Sequence, residues 1–356
     1  MDKVADPLAA FDFDLPEDRI ALRPVQPQDA ARLLVVSSDG RLEDHTVRDL
    51  PSLLNAGDVL VFNDTRVLPA ALKGTRPARD ALGQDIQVDV NLVTRESDAQ
   101  WRALARPGKR LKVGDRLVFA AGFQADLIQK HAAGEIVLRF NRAGPDLEAA
   151  LEAQGAMPLP PYIARRRAAD AEDRNAYQTA FASQDAQSVA APTAGLHFTP
   201  RLLSELSRAD LAQQYVRLHV GLGTFAPLTR EQIDSKRLHA EWRAISEDTA
   251  RTLNQARQAG QRCIAVGTTA LRTLESSVTE EGAIAAASGP TDIFIKPGDP
   301  IRAIDGMITN FHLPQSSLFM LVCALMGTDL MQAAYAHAVR ERYRFYSYGD
   351  ACLLLP

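Results

Sequence analysis

A run of polar residues that could do chemistry follows a short hydrophobic stretch near the start of the chain. In the segment GDVLVFNDTRVLP (residues 57–69), an apolar run leads directly into Asn63, Asp64, Thr65 and Arg66. The Asp64 carboxylate could serve as a general base or bind a hydroxyl group, and the Arg66 guanidinium could hold an anion. The alternative is a turn in which these side chains satisfy their own backbone and Arg66 pairs with Asp64.

Three histidines in separate segments are candidate proton carriers, because imidazole titrates near neutral pH. His197 lies in APTAGLHFT (residues 191–199), His219 begins HVGLGTF, and His312 lies in ITNFHLP. For an isolated histidine, however, a hydrogen bond to a backbone carbonyl is the commoner role. Asn310, two residues before His312, is a further candidate for a binding site.

Glycines and threonines in two other segments could form the wall of a ligand site. HVGLGTF places Gly221 and Gly223 in a GxG pair. The third glycine of a dinucleotide-binding turn is missing, so the pair indicates only a close backbone approach. In VGTTALRTLE (residues 266–275), Thr268 or Thr269 can cap a helix whose free N–H groups would attract a carboxylate or a phosphate.

Arg272 and Glu275 belong to that same predicted helix and lie three residues apart, so they share one of its faces. They could contribute to the ligand site at the start of the helix. Alternatively, they could pair with each other, which would contribute only ~0.3–0.5 kcal/mol.

Two basic clusters are candidates for contact with nucleic acid, although the net charge of the chain is −4. The first cluster contains Arg106, Lys109, Arg110 and Lys112, and the second contains Arg165, Arg166 and Arg167. A solvated surface is the alternative for each. Two such clusters on an acidic chain favour contact with phosphates.

Short apolar runs alternate with segments of helical periodicity along most of the chain. The predicted strands are residues 33–36, 58–63, 188–191, 215–220, 263–266, 293–295 and 307–308. Helices are predicted over residues 202–213, with Thr199 as N-cap, over residues 247–260, and over the apolar run 318–326. This alternation is typical of an α/β domain with a mostly parallel sheet. Since open α/β sheets bind ligands at the carboxyl ends of their strands, the candidate residues should meet there.

The segment from about residue 71 to residue 142 has a different pattern. Apolar and polar residues alternate over residues 86–92 and 136–140, and helical periodicity is absent. Short alternating strands separated by turns indicate a small antiparallel β-barrel. We therefore predict an α/β main domain, residues 1–70 plus 155–356, that carries an inserted β-barrel domain, residues 71–154.

Composition argues against several classes of protein. The chain has 356 residues, 46% hydrophobic and 24% charged, as in a globular protein with a substantial core. The longest apolar run, residues 318–326, is too short to span a membrane, and the acidic residues 1–18 do not form a secretory signal. Three scattered cysteines argue against a disulfide framework and a cysteine-rich metal site. We expect a cytoplasmic protein with no metal, no membrane and no obligate protein partner.

Seven segments of the chain, taken together and in this order, closely resemble one family. They are GDVLVFNDTRVLPA, MPLPPYI, APTAGLHFTP, HVGLGTFAPL, VGTTALRTLE, ITNFHLPQSS and YRFYSYGDA. The family is that of the S-adenosylmethionine:tRNA ribosyltransferase-isomerases of queuosine biosynthesis. The resemblance extends from Asp14 to the last residues of the chain.

This resemblance implies a reaction, a cosubstrate and a macromolecular substrate. Such an enzyme transfers and isomerises the ribosyl part of S-adenosylmethionine onto 7-aminomethyl-7-deazaguanine at the wobble position of tRNA. The product is epoxyqueuosine, and adenine and methionine are released. The family's architecture, an α/β domain with an inserted β-barrel, is the one predicted above, and no metal is required.

A reaction of this kind needs a base near the ribose of S-adenosylmethionine. We expect Asp64 or a histidine to be that base, with His197 ahead of His219 and His312. The resemblance does not decide between them.

Anionic groups of the substrates need cationic or N–H partners. Arg66 and Arg272 would hold the methionine carboxylate or a tRNA phosphate, and Thr268 and Thr269 at the helix start would form a second carboxylate cradle. The remaining candidates for binding S-adenosylmethionine are Asn63, Thr65, Gly221, Gly223, Glu275 and Asn310. Two alternatives stay open, an S-adenosylmethionine-dependent tRNA methyltransferase and a non-catalytic tRNA-binding protein.

Overall fold

The computed structural model describes residues 8–131, 134–184, 187–221 and 228–356. Nine strands among these residues form one mixed sheet. In spatial order they are β15 (Ala287–Ile293), β13 (Arg237–Ile245), β12 (Ala212–Leu218), β3 (Val59–Asn63), β14 (Cys263–Val266), β16 (Gly306–Asn310), β17 (Ala351–Leu355), β1 (Arg32–Ser37) and β2 (Leu42–Thr46). β12, β3, β14 and β16 run parallel, so their carboxyl ends lie along one edge of the sheet. β17 is antiparallel to β16 and therefore begins at that edge.

The predicted α/β class is confirmed. The prediction of a mostly parallel sheet is wrong, because antiparallel strands lie at both ends of the strand order. β13 and β15 are antiparallel to their neighbours on one side, and β2 is antiparallel to β1 on the other. β13 and β2 expose several of their residues, whereas every residue of β3 and β14 is buried. Continuous apolar runs mark strands that are covered on both faces, so a search for such runs found the central strands and missed these.

Helices cover both faces of this sheet. The α-helices of the described residues, not all of which pack on this sheet, are α1 (Leu50–Leu53), α2 (Gly144–Gln154), α3 (Pro161–Ala164), α4 (Asp173–Ala176), α5 (Pro200–Arg208), α6 (Arg230–Ser235), α7 (Glu247–Gln258), α8 (Thr268–Glu275), α9 (Ser317–Met326) and α10 (Thr328–Arg340). α1 and α5 pack on the face that carries Leu60 and Phe62 of β3. α7 and α8 pack on the other face, with Val59 and Val61, as the alternation of a strand requires.

The local signals for helix ends are confirmed. The Thr199 hydroxyl caps α5 by accepting a hydrogen bond from the Leu202 amide at 3.2 Å, and Pro200 is the first helical residue. α7 is followed by Gly260, whose φ of +74° favours glycine. The helix predicted over residues 202–213 ends early, because the chain enters β12 at Ala212.

Six antiparallel strands close the barrel that the alternating pattern predicted. Around the barrel they are β10 (Glu135–Phe140), β7 (Gln100–Arg106), β6 (Ile86–Arg95), β5 (Ala71–Arg76), β8 (Arg116–Ala120) and β9 (Phe123–Lys130), and β9 pairs again with β10. Val88, Val90 and Leu92 of β6 are buried in its core. α2 packs against the same core through Leu147 and Leu151. The predicted fold class, an α/β domain with a β-barrel, is confirmed.

α9 is the apolar run that the sequence predicted as a buried helix. Its residues Phe319, Leu321 and Val322 are buried in the same core cluster as Met331 and Tyr335 of α10. By length and apolar composition, no single helix among the described residues could span a membrane. α9 and α10 would qualify only as a pair, and that pair is bent by 116°.

Candidate active site

A cleft that is open to solvent lies at the sheet edge where the parallel strands end, with about 700 Å³ of empty space when its solvent-open part is included. Four of the predicted site residues line it: Thr268 and Thr269 follow β14, Asn310 ends β16, and His312 lies two residues further. Apolar side chains form much of the remaining wall and include Val220, Phe311, Leu313 and Leu318. A mostly apolar cleft with a few converging polar groups is typical of a small-molecule site.

The turn between β14 and α8 points the start of the helix at this cleft. Gly267 has a φ of +89°, and a Cβ atom there would lie 3.3 Å from the Cβ of Ala194, so the turn requires glycine. Thr268 and Thr269 begin α8 directly afterwards. The Thr269 hydroxyl oxygen is buried and has no hydrogen-bond partner among the described residues. The helix start therefore offers backbone N–H groups and an unpaired hydroxyl to an anionic ligand.

Arg272 lies one turn further along α8 and is almost fully buried. Its Nη1 atom is 2.5 Å from Oε2 of Glu241, and Oε1 of Glu241 accepts a hydrogen bond from the Gly221 amide at 2.9 Å. Nε and Nη2 of Arg272 have no partner within the described part of the chain. Arg272 is thus tied to the backbone beside Val220, which lines the cleft, and it retains two unused donors.

Glu275 does not share a partner with Arg272. Its carboxylate accepts hydrogen bonds from the backbone amides of Arg302 and Ala303 at 2.8 and 2.7 Å. Burial raises the pKa of this carboxyl, and those two amides oppose the rise. The Arg272–Glu275 pair considered from the sequence is replaced by two separate contacts.

His197 lies behind the cleft and contacts Asn310. The Thr193 hydroxyl donates to Oδ1 of Asn310 at 3.1 Å, which turns Nδ2 of Asn310 towards Nε2 of His197, 3.2 Å away. Burial lowers the pKa of His197 to about 4, so the imidazole is neutral at pH 7 and Nε2 accepts this hydrogen bond. One N–H of the Asn310 amide is left to meet a ligand.

His312 is the histidine that lines the cleft within the described residues. Its Nε2 atom is 3.2 Å from the Thr309 hydroxyl, and its Nδ1 atom is 3.4 Å from the Tyr335 hydroxyl. The Tyr335 oxygen also accepts the backbone N–H of His312 at 3.1 Å. Burial lowers the pKa of His312 to about 3, so this ring is also neutral at pH 7.

Residues 63–66 are not among those that line the cleft. Asn63 bonds the backbone N–H and C=O of Leu218 at 3.1 and 3.0 Å, which fixes β3 to β12. Thr65 is fully buried, and its hydroxyl has no partner in the described ranges. Arg66 belongs to β4 (Arg66–Val67), which pairs with β11 (Gln187–Ser188), and its guanidinium contacts Glu152 of α2.

Asp64 and His219 do not line the cleft, although Val220, the residue after His219, does. Both carboxylate oxygens of Asp64 accept from Arg217, at 3.0 and 2.7 Å. The His219 ring packs on Trp242 with 4.7 Å between centroids, and its Nε2 has no partner among the described residues. Burial lowers the pKa of His219, and the nearby Arg217 charge adds to this effect. Gly221 follows two residues later, and Gly223 lies outside the described residues.

The two basic clusters differ in their surroundings. Arg106, Lys109, Arg110 and Lys112 form what we call the barrel cluster, which is exposed between β7 and β8 and makes no ion pair among the described residues. In the second cluster, Arg165 is likewise exposed, Arg166 pairs with Glu17 at 2.8 Å, and the partly buried Arg167 pairs with the fully buried Asp173 at 2.7 Å.

Thr193, Tyr346 and Ser347 are among the lining residues that we did not select from the sequence. Tyr346 has a φ of +75°, and the Ser347 amide donates to the Tyr162 hydroxyl at 3.0 Å. Tyr346 and Ser347 precede β17, which begins at the cleft edge because it is antiparallel to β16. The sequence does not show the direction of β17, so these two residues could not be predicted to lie at the cleft. Across the described residues, no group of three or more His, Cys, Asp or Glu side chains could hold a metal ion.

Comparisons with known proteins agree over the whole chain. Residues 8–354 match a family described as queuosine biosynthesis protein. A relative from Hyphomonas neptunium, named S-adenosylmethionine:tRNA ribosyltransferase-isomerase, is 68% identical over 98% of this chain and 99% of its own length. A protein of the same name from Methylobacterium radiotolerans is 56% identical over 97% of each chain.

A solved structure of a related protein is similar to this chain in its fold. The crystal structure of an S-adenosylmethionine tRNA ribosyltransferase from Thermotoga maritima is 31% identical, covers 98% of this chain and 100% of its own, and gives a TM-score of 0.54. These findings confirm the resemblance carried by the seven segments. The chain belongs to the queuosine biosynthesis protein family.

Proposed function

We propose that this protein transfers and isomerises the ribosyl part of S-adenosylmethionine onto 7-aminomethyl-7-deazaguanine at the wobble position of tRNA. The products are epoxyqueuosine in the tRNA, free adenine and free methionine. The observation that carries the proposal is the meeting of Thr268, Thr269, Asn310 and His312 in one cleft, in a chain of this family. A tRNA substrate makes the cytoplasm the expected compartment.

The residues that line the cleft suit S-adenosylmethionine in their chemistry. The buried Thr269 hydroxyl and the first N–H groups of α8 are suited to the carboxylate of the methionine part. Arg272, one turn away, is paired with Glu241 and has two further donors that meet no partner among the described residues. The apolar wall and the Tyr346 ring can take the adenine.

The sulfonium of S-adenosylmethionine acidifies the neighbouring C5′ hydrogens and makes methionine a good leaving group. In our proposal the imidazole of His312 accepts a proton from C5′, because it is neutral at pH 7 and lines the cleft. Thr309 and Tyr335 hold its ring in place. His197 acts through Asn310, whose remaining N–H would donate to an oxygen of the sugar.

Proton transfer by Asp64 or His219 stays a prediction. Both Asp64 oxygens are engaged by Arg217, and neither Asp64 nor His219 is among the residues that line the cleft. A movement that released Asp64 from Arg217 would be needed before the carboxylate could reach the ribose.

We propose that the barrel cluster and Arg165 bind phosphates of the tRNA. These side chains are exposed and make no ion pair among the described residues, so their charge is available to a polyanion. Leu104 and Val113, which are also exposed, flank the barrel cluster. Arg167 pairs with the buried Asp173, which makes it a structural residue in this proposal.

Mass spectrometry after incubation with S-adenosylmethionine tests the reaction. The substrate is tRNA that carries 7-aminomethyl-7-deazaguanine, and the same tRNA with guanine at that position is the control. We expect epoxyqueuosine in the digested tRNA, with adenine and methionine released in equal amounts. Formation of S-adenosylhomocysteine would favour the methyltransferase alternative. Binding of tRNA without any turnover would favour the non-catalytic alternative.

A further inference from the structure

One face of β12 carries a row of planar side chains. Tyr215, Arg217 and His219 alternate along the strand with Val216 and Leu218, which are buried on the other face. Side chains on one face of a strand are about 7 Å apart, so the three form a continuous track. The track ends close to the cleft in the chain, because Val220, the residue after His219, lines the cleft, although its side chain packs with Leu218 on the other face of the strand.

Trp242 of β13 extends this row. The His219 amide donates to the Trp242 carbonyl oxygen at 2.8 Å, which places the two side chains opposite each other across the strands. Their rings pack at 4.7 Å between centroids with an angle of 37°. Arg217 lies in the middle of the row, where its two hydrogen bonds to Asp64 hold the guanidinium plane.

The two aromatic ends of this row are open to solvent. Tyr215 is 37% exposed and Trp242 is 38% exposed, and they are two of the five exposed large apolar side chains among the described residues. Asp64 balances the charge of Arg217, so the surface is aromatic and planar without being strongly charged. Such a surface suits the flat face of a nucleobase better than a phosphate.

We propose that Tyr215, Arg217, His219 and Trp242, the β12–β13 stacking surface, bind unpaired nucleobases of the RNA substrate next to the nucleotide in the cleft. This inference rests on the proposed function, which makes RNA the substrate. Bases of a loop can unstack and lie on aromatic rings and guanidinium planes, and such stacking tolerates any sequence. The surface would hold the loop while phosphates elsewhere on the tRNA are held by the barrel cluster.

Intrinsic fluorescence gives a direct test, because the chain has two tryptophans, Trp101 and Trp242. Trp101 is 4% exposed in the barrel, and its indole N–H makes no hydrogen bond to any described residue. Trp101→Phe therefore removes no bond seen in the structure and leaves Trp242 as the only tryptophan in the sequence. We expect the emission of this variant to be quenched in a saturable way by a hairpin RNA that contains the anticodon stem and loop. A fully paired duplex of the same length should not quench it.

Affinity for the hairpin provides the second measurement. Trp242→Ala should weaken binding by about tenfold or more, and Trp242→Phe should restore most of the loss, since one stacked base is worth about that much. Leu82→Ala is the matched control, because Leu82 is 98% exposed in the barrel domain and belongs to neither surface. If Trp101→Phe failed to fold, the difference in emission between wild type and Trp242→Phe would give the same information.

These experiments test the stacking surface independently of the proposed reaction. Unchanged Trp242 emission, while the hairpin binds or is modified, would overturn the stacking surface and leave the proposed function intact. Quenching without any turnover would support the surface and count against the reaction. A change in emission that depends on protein concentration without RNA would show that a second copy of the chain covers this face, which would also overturn the inference.

Discussion

Replacing Thr269 with valine should weaken the binding of S-adenosylmethionine without destabilising the fold. The Thr269 hydroxyl is buried and unpaired among the described residues, so the substrate-free protein carries the desolvation cost of a hydrogen bond that is not made. Valine keeps the branched shape and removes the hydroxyl. We expect the free energy of unfolding to stay the same or to rise by up to about 1–3 kcal/mol, the usual cost of an unsatisfied buried polar group.

The same substitution removes a hydrogen bond that we assign to the carboxylate of the bound substrate. A hydrogen bond to a charged group contributes about 1.5–3 kcal/mol, which corresponds to a roughly 10- to 150-fold increase in Kd. Thermal unfolding measures the stability, and calorimetric titration with S-adenosylmethionine measures the Kd. The affinity should fall, whereas the stability should rise or stay unchanged.

Thr273→Val is the matched control on the same helix. Thr273 is fully buried, but its hydroxyl donates to the carbonyl oxygen of Thr269 at 2.8 Å, and it is not among the residues that line the cleft. Valine at position 273 should cost about 1 kcal/mol of stability and leave the Kd unchanged. Wild-type affinity in Thr269→Val, or a loss of stability equal to that of Thr273→Val, would refute the carboxylate cradle.

Alanine at the four positions of the barrel cluster should reduce the slope of log tRNA affinity against log salt by about one for each phosphate that the variant no longer neutralises. Arg116→Ala, which removes a side chain already paired with Asp126, should leave that slope unchanged. Glu241→Gln should leave the buried Arg272 charge without its carboxylate and cost about 3–5 kcal/mol in urea unfolding. Burial lowers the pKa of His197 to about 4 and of His312 to about 3, so below pH ~6.5 the unfolded chain takes up protons that the folded chain does not. The free energy of unfolding should therefore fall by about 2 kcal/mol for each histidine between pH 7 and pH 5, and urea titrations with equal stability at both pH values would contradict this.

The part of the cleft that sequence alone could predict is the part built on buried parallel strands. β14 and β16 are continuous apolar runs, so their ends could be located, and Thr268, Thr269, Asn310 and His312 follow or close those runs. The carboxyl ends of parallel strands meet at one edge whatever the order of the strands, which is why residues distant in the chain could be expected together.

The partners of the polar residues could not be predicted in this way. Asp64 is held by Arg217 and Arg66 contacts Glu152, and each partner is many residues away in the chain. Spacing gives the period of a strand or helix, but it carries no information about which segment lies alongside. For the same reason Tyr346 and Ser347 were missed, because their place in the cleft depends on β17 running antiparallel to β16.

The electrostatics of the cleft suit a substrate with a fixed positive charge. None of the described residues that line it is Lys, Arg, Asp or Glu, and burial keeps His312 neutral. A protonated imidazole ~5 Å from a sulfonium would cost ~3 kcal/mol in repulsion at an effective dielectric constant of ~20. Because its pKa is low, the His312 imidazole is uncharged and can lie beside the sulfonium without this repulsion. In the proposed reaction that repulsion disappears when the sulfonium charge is lost, so the pKa of His312 should rise as methionine departs. Proton transfer to the ring and departure of methionine would then favour each other.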